Sequence, residues 1–194
     1  MGRVTFALIL FVVGSLWGCG AARTVIHTAD TPMMGEKSAP HVLVVYSDFQ
    51  CPFCKQAAMM LQQFVARHPK DAAIYFKHFP LRQHPMAYRA ALAAQAANLQ
   101  GQFWPMHDLI FANAGGLTPH RFVQFAKTIG LDVEKFNVDI ESDAVVARIA
   151  ADKQEGEDLG LQGTPFFVLD GKPFDGRMSA LLTKLEVGRP NPDQ

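Results

Sequence analysis

Cysteine is scarce in this sequence: there are three in 194 residues, Cys19, Cys51 and Cys54. Small secreted domains that depend on disulfide staples carry many cysteines spread along a short chain, so this class is excluded. An excess of charge is also lacking, since lysine plus arginine and aspartate plus glutamate number 18 each. Without a basic excess or a basic stripe, nucleic acid is not an expected partner.

A long apolar run occurs only near the start of the chain. Arg3 precedes an uncharged, mostly apolar segment from Val4 to Trp17, and small residues follow up to Ala22. This run is shorter than the roughly 20 residues that a membrane span needs, and its length is typical of an export signal. We expect residues 1–22 to be a signal segment, with the mature protein in the periplasm or another extracytoplasmic space.

Cys19 allows a second interpretation of this segment, in which it is the signal of a lipoprotein. Leu16-Trp17-Gly18-Cys19 resembles a bacterial lipoprotein signal, in which the cysteine is lipidated, although Trp17 departs from the small residue of that pattern. Ordinary cleavage after Ala22 would instead remove Cys19. Both outcomes stay open, a lipid anchor at Cys19 or a soluble exported form, and in neither is Cys19 expected to be a redox thiol.

The first half of the remaining chain predicts a βαβ unit. Residues 23–40 are interpreted as a linker, with a short edge strand around Thr24 to His27. The apolar run from Val42 to Tyr46 predicts a strand buried on both faces. The helical spacing that begins at Cys51 predicts a helix up to about His68, and Ala73 to Phe79 predicts the next strand.

Helices dominate the middle of the chain, and a ββα unit ends it. The first predicted helix opens at Pro85, runs through Ala87 to Ala97 and stops at Gly101. The next predicted helices are 103–111, 118–129, 133–140 and 143–159. Phe166 to Leu169 and Lys172 to Phe174 are predicted strands, followed by a helix from Ser179 to Val187. This order predicts an α/β fold over residues 41–188, with a helical insert at about 82–139 and a short tail at 189–194.

Cys51-Pro52-Phe53-Cys54 lies where a buried strand passes into a helix. Unpaired N–H groups at a helix start carry partial positive charge, which should stabilise a thiolate at Cys51. Cys54 lies one turn further on the same face, so that the two sulfurs can bond to each other. Pro52 is suited to the first helical turn. We expect an exposed nucleophile at Cys51 and a more buried partner at Cys54.

Two other uses of the pair are less favoured. The cysteines could form an inert structural disulfide, or they could bind a metal. A structural zinc site needs four ligands and the sequence has no second pair, whereas Cu(I) needs only two thiolates, with Met59 or Met60 nearby. We favour redox chemistry and expect neither a metal nor a cofactor.

Three segments together resemble the DsbA-like family of the thioredoxin superfamily. They are Val45 to Cys54, Phe103-Trp104-Pro105-Met106-His107-Asp108, and Gly163-Thr164-Pro165-Phe166-Phe167. The resemblance covers about Pro40 to Val187. It implies a thioredoxin fold with a helical insertion between the βαβ half and the ββα half, and the activity of a protein thiol–disulfide oxidoreductase.

The resemblance also implies roles for residues around the cysteines. Pro165 would be cis and lie against the disulfide, and the Thr164 backbone would face an extended substrate. Independently of the resemblance, Phe53 flanks the cysteines and could contribute to an apolar groove or pack in the core. One position departs from the family: relatives often carry a buried carboxylate six residues before the first cysteine, and Val45 stands there. Asp48 could replace it, or could instead cap the helix that begins at Cys51.

The remaining aromatic and histidine side chains are expected to be structural. His78, His84 and His107 could tune a thiolate, but lone histidines more often have structural roles. Phe49 could line the groove or pack in the core, and strand alternation directs one of Phe166 and Phe167 inward. The last expectation is that Phe103 and Trp104 pack within the helical insert.

The function expected from this combination is a monomeric oxidase that introduces disulfides into unfolded or reduced exported proteins. Isomerases of the family carry an N-terminal dimerisation domain, and the residues before Pro40 are too few for one. A membrane partner, DsbB-like or similar to vitamin-K-epoxide reductase, would reoxidise the enzyme. Thr164 is also compatible with a reductase or isomerase. A thiol-based metal carrier is the alternative from another class.

Overall fold

The computed structural model describes residue 25 and residues 27–186 of the chain. The predicted signal segment, Cys19 and the tail lie outside these residues. The strands are β1 (Met33–Gly35), β2 (His41–Ser47), β3 (Ala72–His78), β4 (Phe166–Leu169) and β5 (Lys172–Phe174). The helices are α1 (Pro52–Arg67), α2 (Ala87–Asn98), α3 (Phe103–Ala112), α4 (Pro119–Thr128), α5 (Val133–Asp139), α6 (Asp143–Asp158) and α7 (Met178–Glu186).

The strands form one mixed sheet in the order β1-β3-β2-β4-β5. β2 is central, because it pairs in parallel with β3 on one side and antiparallel with β4 on the other. Its continuous apolar run fits this position, since a strand with helices on both faces has no solvated side. Val45 of β2 lies opposite Phe76 in β3 and Phe167 in β4. This arrangement confirms the predicted α/β fold and, from β2 onward, the predicted order of elements along the chain.

The edge strand of the linker was placed wrongly in the prediction. Val25 and His27 belong to no strand, and the edge strand is β1, which pairs antiparallel with β3. Its length is limited by Pro32 before it and by Gly35, whose φ is +86°. A β-carbon at Gly35 would lie 2.0 Å from the carbonyl oxygen of Ala72, so that only glycine fits. The pairing depends on the open backbone edge of β3, which a local sequence pattern does not reveal.

Helices cover both faces of the sheet. α1 and α7 pack on the face that carries Leu43 and Val45, where their shared core includes Leu61 and Leu181. On the opposite face, Val44 and Tyr46 pack with residues that include Phe79, Leu161 and Val168. α2 to α5 correspond to the predicted helical insert and are called the cap below. The hydrophobic core of this cap is continuous with the start of α1 through Phe49, Cys51 and Cys54. The cysteines therefore lie where the cap meets the sheet.

A buried ion-pair cluster holds α6 against β3. Lys77 Nζ lies 2.6 Å from Glu155 Oε2 and 3.3 Å from Asp152 Oδ1, and only 3% of the Lys77 side chain is exposed. The second oxygen of Asp152 accepts a hydrogen bond of 3.0 Å from the backbone N–H of His78. Buried charges need such partners, since an isolated one is strongly unfavourable. The cluster therefore fixes β3 near its carboxyl end, beside the site.

Among the helices of the described residues, none is long and apolar enough to cross a membrane.

Candidate active site

The site begins at the junction between β2 and α1. Cys51 is the N-cap residue of α1, with φ −76° and ψ 121°, and Pro52 occupies the first turn. No side chain caps the helix there, so that the partial positive charge of its first N–H groups is not neutralised by a carboxylate. Asp48 had been expected either to cap this helix or to replace the missing buried carboxylate. The first of these expectations is wrong.

The two thiols lie close to the backbone of other segments, and neither forms a disulfide. Cys51 Sγ donates a hydrogen bond of 3.3 Å to the carbonyl oxygen of Thr164. Cys54 Sγ accepts one of 3.4 Å from the backbone N–H of Asp48. The Thr164–Pro165 peptide bond is cis, and Phe166 begins β4 directly after it. The Gly-Thr-Pro segment and the Cys-Pro-Phe-Cys segment therefore meet.

Cys51 is much less exposed than the sequence analysis predicted. Only 5% of Cys51 is accessible, against 1% of Cys54, so that the order of burial is as predicted but both cysteines are buried. Cys51 belongs to the core of the cap, and the Thr164 carbonyl lies beside its sulfur. The residues that are exposed at this point are Pro52 and Phe53, of which Phe53 is 66% accessible.

The environment of Cys54 favours its protonated form. Burial raises the pKa of the Cys54 thiol to about 12, and the polar groups of Thr164, Asp48 and Ser47 around the sulfur offset only part of this rise. At neutral pH the thiolate of Cys54 is therefore a very small fraction. Any reaction in which Cys54 attacks or leaves must move a proton at this buried sulfur.

Asp48 organises the loop around the site. Its carboxylate is buried, and Oδ1 accepts from the Gln50 N–H at 2.6 Å whereas Oδ2 accepts from the Leu81 N–H at 2.7 Å. His84 Nδ1 lies 2.9 Å from the same Oδ2. The amide oxygen of Gln50 in turn accepts from the Met86 N–H at 2.6 Å. These contacts tie the segment between β3 and α2 to the segment before Cys51.

Phe49 and the buried histidines form one aromatic cluster beneath the site. The Phe49 ring centre lies 4.9 Å from that of Phe111 and 5.5 Å from that of Phe76, so that Phe49 packs in the core rather than lining a groove. His78 and His107 are 1% and 2% accessible within this cluster. Burial lowers the pKa of His78 to about 3 and also lowers the pKa of His107. Both rings are therefore neutral at neutral pH.

The other aromatic side chains near the site pack as predicted, and Trp104 makes one additional contact. Phe167 is the buried member of its pair, and Phe166 contacts Tyr46 on the opposite face. Phe103 is buried in the cap. Trp104 packs there also, but its indole N–H reaches out of the cap and donates to the carbonyl oxygen of Met33 at 3.0 Å.

Two contributors to the site were not identified from the sequence. The backbone N–H of Asp48 bonds the Cys54 sulfur, which no pattern of side chains reveals. His107 had been assigned a structural role, yet its ring and Ser47 line a cavity together with Cys54. The neighbouring Asp108 was the available signal, because a carboxylate next to a histidine can fix the ring tautomer.

Metal ligands are not concentrated in the described part of the chain. Within residue 25 and residues 27–186 there is no group of three or more histidine, cysteine, aspartate and glutamate side chains that could hold a metal ion. Met59 and Met60 lie on α1 and are 53% and 38% accessible.

Comparison with known proteins identifies the family. The family model of the DSBA-like thioredoxin domain matches residues 42–185. A solved structure described as a thioredoxin-like oxidoreductase from Silicibacter pomeroyi DSS-3 superposes with a TM-score of 0.71 at 26% identity, covering 84% of this chain and 94% of that one. The chain belongs to the DSBA-like thioredoxin domain family, a family of thiol–disulfide oxidoreductases.

Other relatives share the fold or only part of their length. The thiol-disulfide exchange protein alpha-DsbA2 from Wolbachia pipientis has the same fold, with a TM-score of 0.73 at 22% identity over 82% of this chain and 87% of that one. The Na(+)/H(+) antiporter NhaA 1 of Mycobacterium sp. (strain KMS) is 37% identical over 160 residues, 80% of this chain. Those residues are 26% of the antiporter, so that this chain spans about a quarter of the length of the curated relatives it matches.

Replacing Asp48 tests the loop network. In Asp48→Ala the N–H groups of Gln50 and Leu81 lose their buried acceptor. We expect the free energy of unfolding to fall by about 2–6 kcal/mol, since each of the two unsatisfied groups costs about 1–3 kcal/mol. Urea denaturation measures the change. Asp175→Ala, at an exposed position, is the control and should alter stability by less than about 0.5 kcal/mol. Equal effects of the two substitutions would contradict the network.

Proposed function

We propose that this chain is an exported oxidase that introduces disulfides into unfolded or reduced exported proteins through reversible formation of a Cys51–Cys54 disulfide. The observation that carries the proposal is the meeting of the two thiols with the Thr164–Pro165 segment at the start of α1. Membership in a family of thiol–disulfide oxidoreductases supports the reaction class. Export is supported by the apolar N-terminal segment of the sequence.

The reaction follows from thiolate exchange. A substrate thiolate attacks Cys51 Sγ, the Cys51–Cys54 bond breaks, and Cys54 leaves as a thiolate that takes up a proton. A second substrate thiolate then attacks the substrate sulfur of the mixed disulfide, and Cys51 leaves as a thiolate. The substrate has lost two electrons and gained a disulfide, whereas the enzyme holds a dithiol. The reduced pair must then be reoxidised, and the proposal assigns this step to another protein.

The surroundings of Cys51 suit it to the attacked position. It lies at the uncapped N-terminus of α1, where a leaving thiolate gains from the helix dipole. The exposed Phe53 ring offers an apolar contact for an unfolded chain beside the sulfur. The Thr164 backbone lies next to Cys51, in the position from which an extended peptide could pair in β fashion. Pro52 keeps the helix start rigid without needing an N–H acceptor.

The proposal extends to the oligomeric state of the protein, its reoxidising partner, its membrane anchor and the direction of its redox reaction. We propose that the protein acts as a monomer and that a membrane protein, DsbB-like or similar to vitamin-K-epoxide reductase, reoxidises it. Cys19 would serve as a lipid anchor or be removed with the signal. A reductase or isomerase on the same scaffold is the second candidate, since threonine before the cis-proline is compatible with it.

Trapping experiments distinguish the roles of the two cysteines. In Cys54→Ser, Cys51 can still attack a substrate disulfide, but no internal thiol releases the mixed disulfide, so that covalent complexes with exported proteins should accumulate. In Cys51→Ser, the buried and protonated Cys54 should form almost none. Non-reducing electrophoresis of cells that express each variant measures the complexes. Equal trapping by both variants would contradict the assigned roles.

A glutathione redox titration of the purified protein tests the direction of the reaction. We expect a reduction potential nearer to the about −120 mV of a strongly oxidising DsbA than to the about −270 mV of thioredoxin. A potential near the thioredoxin value would replace the oxidase with the reductase or isomerase. Metal analysis of the reduced protein is the accompanying check: stoichiometric copper or zinc would favour the metal carrier.

A further inference from the structure

A narrow cavity lies on the inner side of Cys54, between α1, α3 and the sheet. Its volume is about 20 Å³, and its lining includes Cys54, Ser47, Trp104 and His107 among apolar side chains. A volume of this size holds one water molecule, provided that polar partners are present to bind it. The Cys54 thiol, the Ser47 hydroxyl and the imidazole of His107 are such partners.

His107 is held in one orientation by a carboxylate. Its Nδ1 lies 2.8 Å from Asp108 Oδ1, which also accepts a hydrogen bond of 2.6 Å from Gln62 Nε2 on α1. An ionised carboxylate can only accept, so that the hydrogen of the neutral ring resides on Nδ1 and Nε2 is left as the acceptor. The His107 side chain is 3% exposed whereas that of Asp108 is 55% exposed. The pair therefore connects the buried cavity with solvent.

The Cys54 thiol, which adjoins this cavity, must exchange a proton in a buried environment that favours its protonated form. Every cycle of disulfide exchange deprotonates or reprotonates Cys54, and burial raises its pKa to about 12. The position at which relatives often carry a buried carboxylate is Val45, which also lines the cavity and is itself apolar. A proton acceptor on another element is therefore needed, and His107 is the basic side chain of the lining.

We propose that His107, oriented by Asp108, exchanges the proton of Cys54 through one water molecule in this cavity. The inference deepens the proposed function and rests on it. During reoxidation, Cys54 S–H gives its proton to the water, and the water gives one to His107 Nε2. The Cys54 thiolate attacks Cys51 Sγ, the Cys51–Cys54 bond forms, and the bond from Cys51 to the partner sulfur breaks. The partner leaves as a thiolate, and His107 later gives up the proton from Nε2 through the same water, which restores the neutral ring with its hydrogen on Nδ1.

The charged and titratable groups around His107 are few. Asp108 lies on its own helix, Cys54 faces it from α1, and Tyr75 and His78 belong to β3. His78 packs in the same aromatic cluster and lies 3.4 Å from Gln95 Oε1, but it does not line the cavity. His78 is therefore a matched control, since it is equally buried and shares the Phe49, Phe76 and Phe103 neighbours of His107.

The test compares His107→Gln with His78→Gln in a single turnover. Reduced protein is mixed with excess oxidised glutathione and quenched with acid, and mass spectrometry follows the Cys51–glutathione mixed disulfide as it forms and as Cys54 resolves it. We expect His107→Gln to slow the resolution step at pH 7 on the order of 10²-fold, the usual size of an acid–base contribution. The rate should then rise steeply with pH, because hydroxide replaces the relay. The step that forms the mixed disulfide, and both steps in His78→Gln, should be unchanged.

Asp108→Asn is a second test variant, needed in case His107→Gln fails to fold. Asp108 is 55% exposed, and asparagine replaces its carboxylate by an uncharged amide that can donate as well as accept, so that the ring hydrogen is no longer fixed on Nδ1. Resolution should therefore slow, on the order of tenfold, without loss of the fold. Resolution that is unchanged in both variants, or equally slow in His78→Gln, would overturn the proposal. Failure of the wild-type protein to form the Cys51–Cys54 disulfide with oxidised glutathione would instead reject the proposed function, so that the two failures are distinguishable.

Discussion

The structure depends on the uncapped start of α1, which places two sulfurs one turn apart at the edge of a buried sheet. Cys51 takes the N-cap position, and Cys54 follows with its sulfur held by the Asp48 N–H. Each of these placements requires β2 to be central and fixed, which the parallel pairing with β3 and the antiparallel pairing with β4 achieve. The Asp48 carboxylate then closes the loop that follows β3 over the same junction.

Opposing effects act on the outer sulfur. The helix N-terminus favours a thiolate at Cys51, typically by about 0.3–1 kcal/mol and by up to about 2 kcal/mol when partly buried. The Thr164 carbonyl oxygen accepts a hydrogen bond from the thiol form alone. A thiol is a weak donor, so that this contact is worth less than an ordinary hydrogen bond. Cys51 therefore lies beside a helix N-terminus, whereas burial raises the pKa of the Cys54 thiol. The proposed roles of the two sulfurs rest on this difference.

The sequence predicts the sheet and the chemistry well because both depend on local patterns. The unbroken apolar run from Val42 to Tyr46 can only be satisfied inside a covered sheet, and the change of period at Cys51 marks the start of a helix. Helix geometry then places Cys51 and Cys54, which are three residues apart, on the same face of that helix. The meeting of this segment with Thr164 and Pro165 was expected from family resemblance, since no local pattern links segments so far apart.

What the sequence did not predict depends on long-range contacts. β1 exists because β3 offers an unpaired backbone edge, and its own residues carry little strand signal. The burial of Cys51 results from the Thr164 carbonyl and the cap core, both of which are remote in the chain. His107 differs from His78 in lining the Cys54 cavity and in bonding a carboxylate, and of these two differences only the neighbouring Asp108 was visible in the sequence.

The helix N-terminus at Cys51 and the burial of Cys54 should give the two thiols different reactivities. Alkylation of the reduced protein with iodoacetamide across a pH series, with the modified cysteine identified by mass spectrometry, measures this difference. We expect Cys51 to react at neutral pH faster than free cysteine does, and Cys54 to stay unmodified until strongly alkaline pH. Modification of Cys51 no faster than free cysteine, or modification of Cys54 alongside it, would contradict the proposed roles of the two sulfurs.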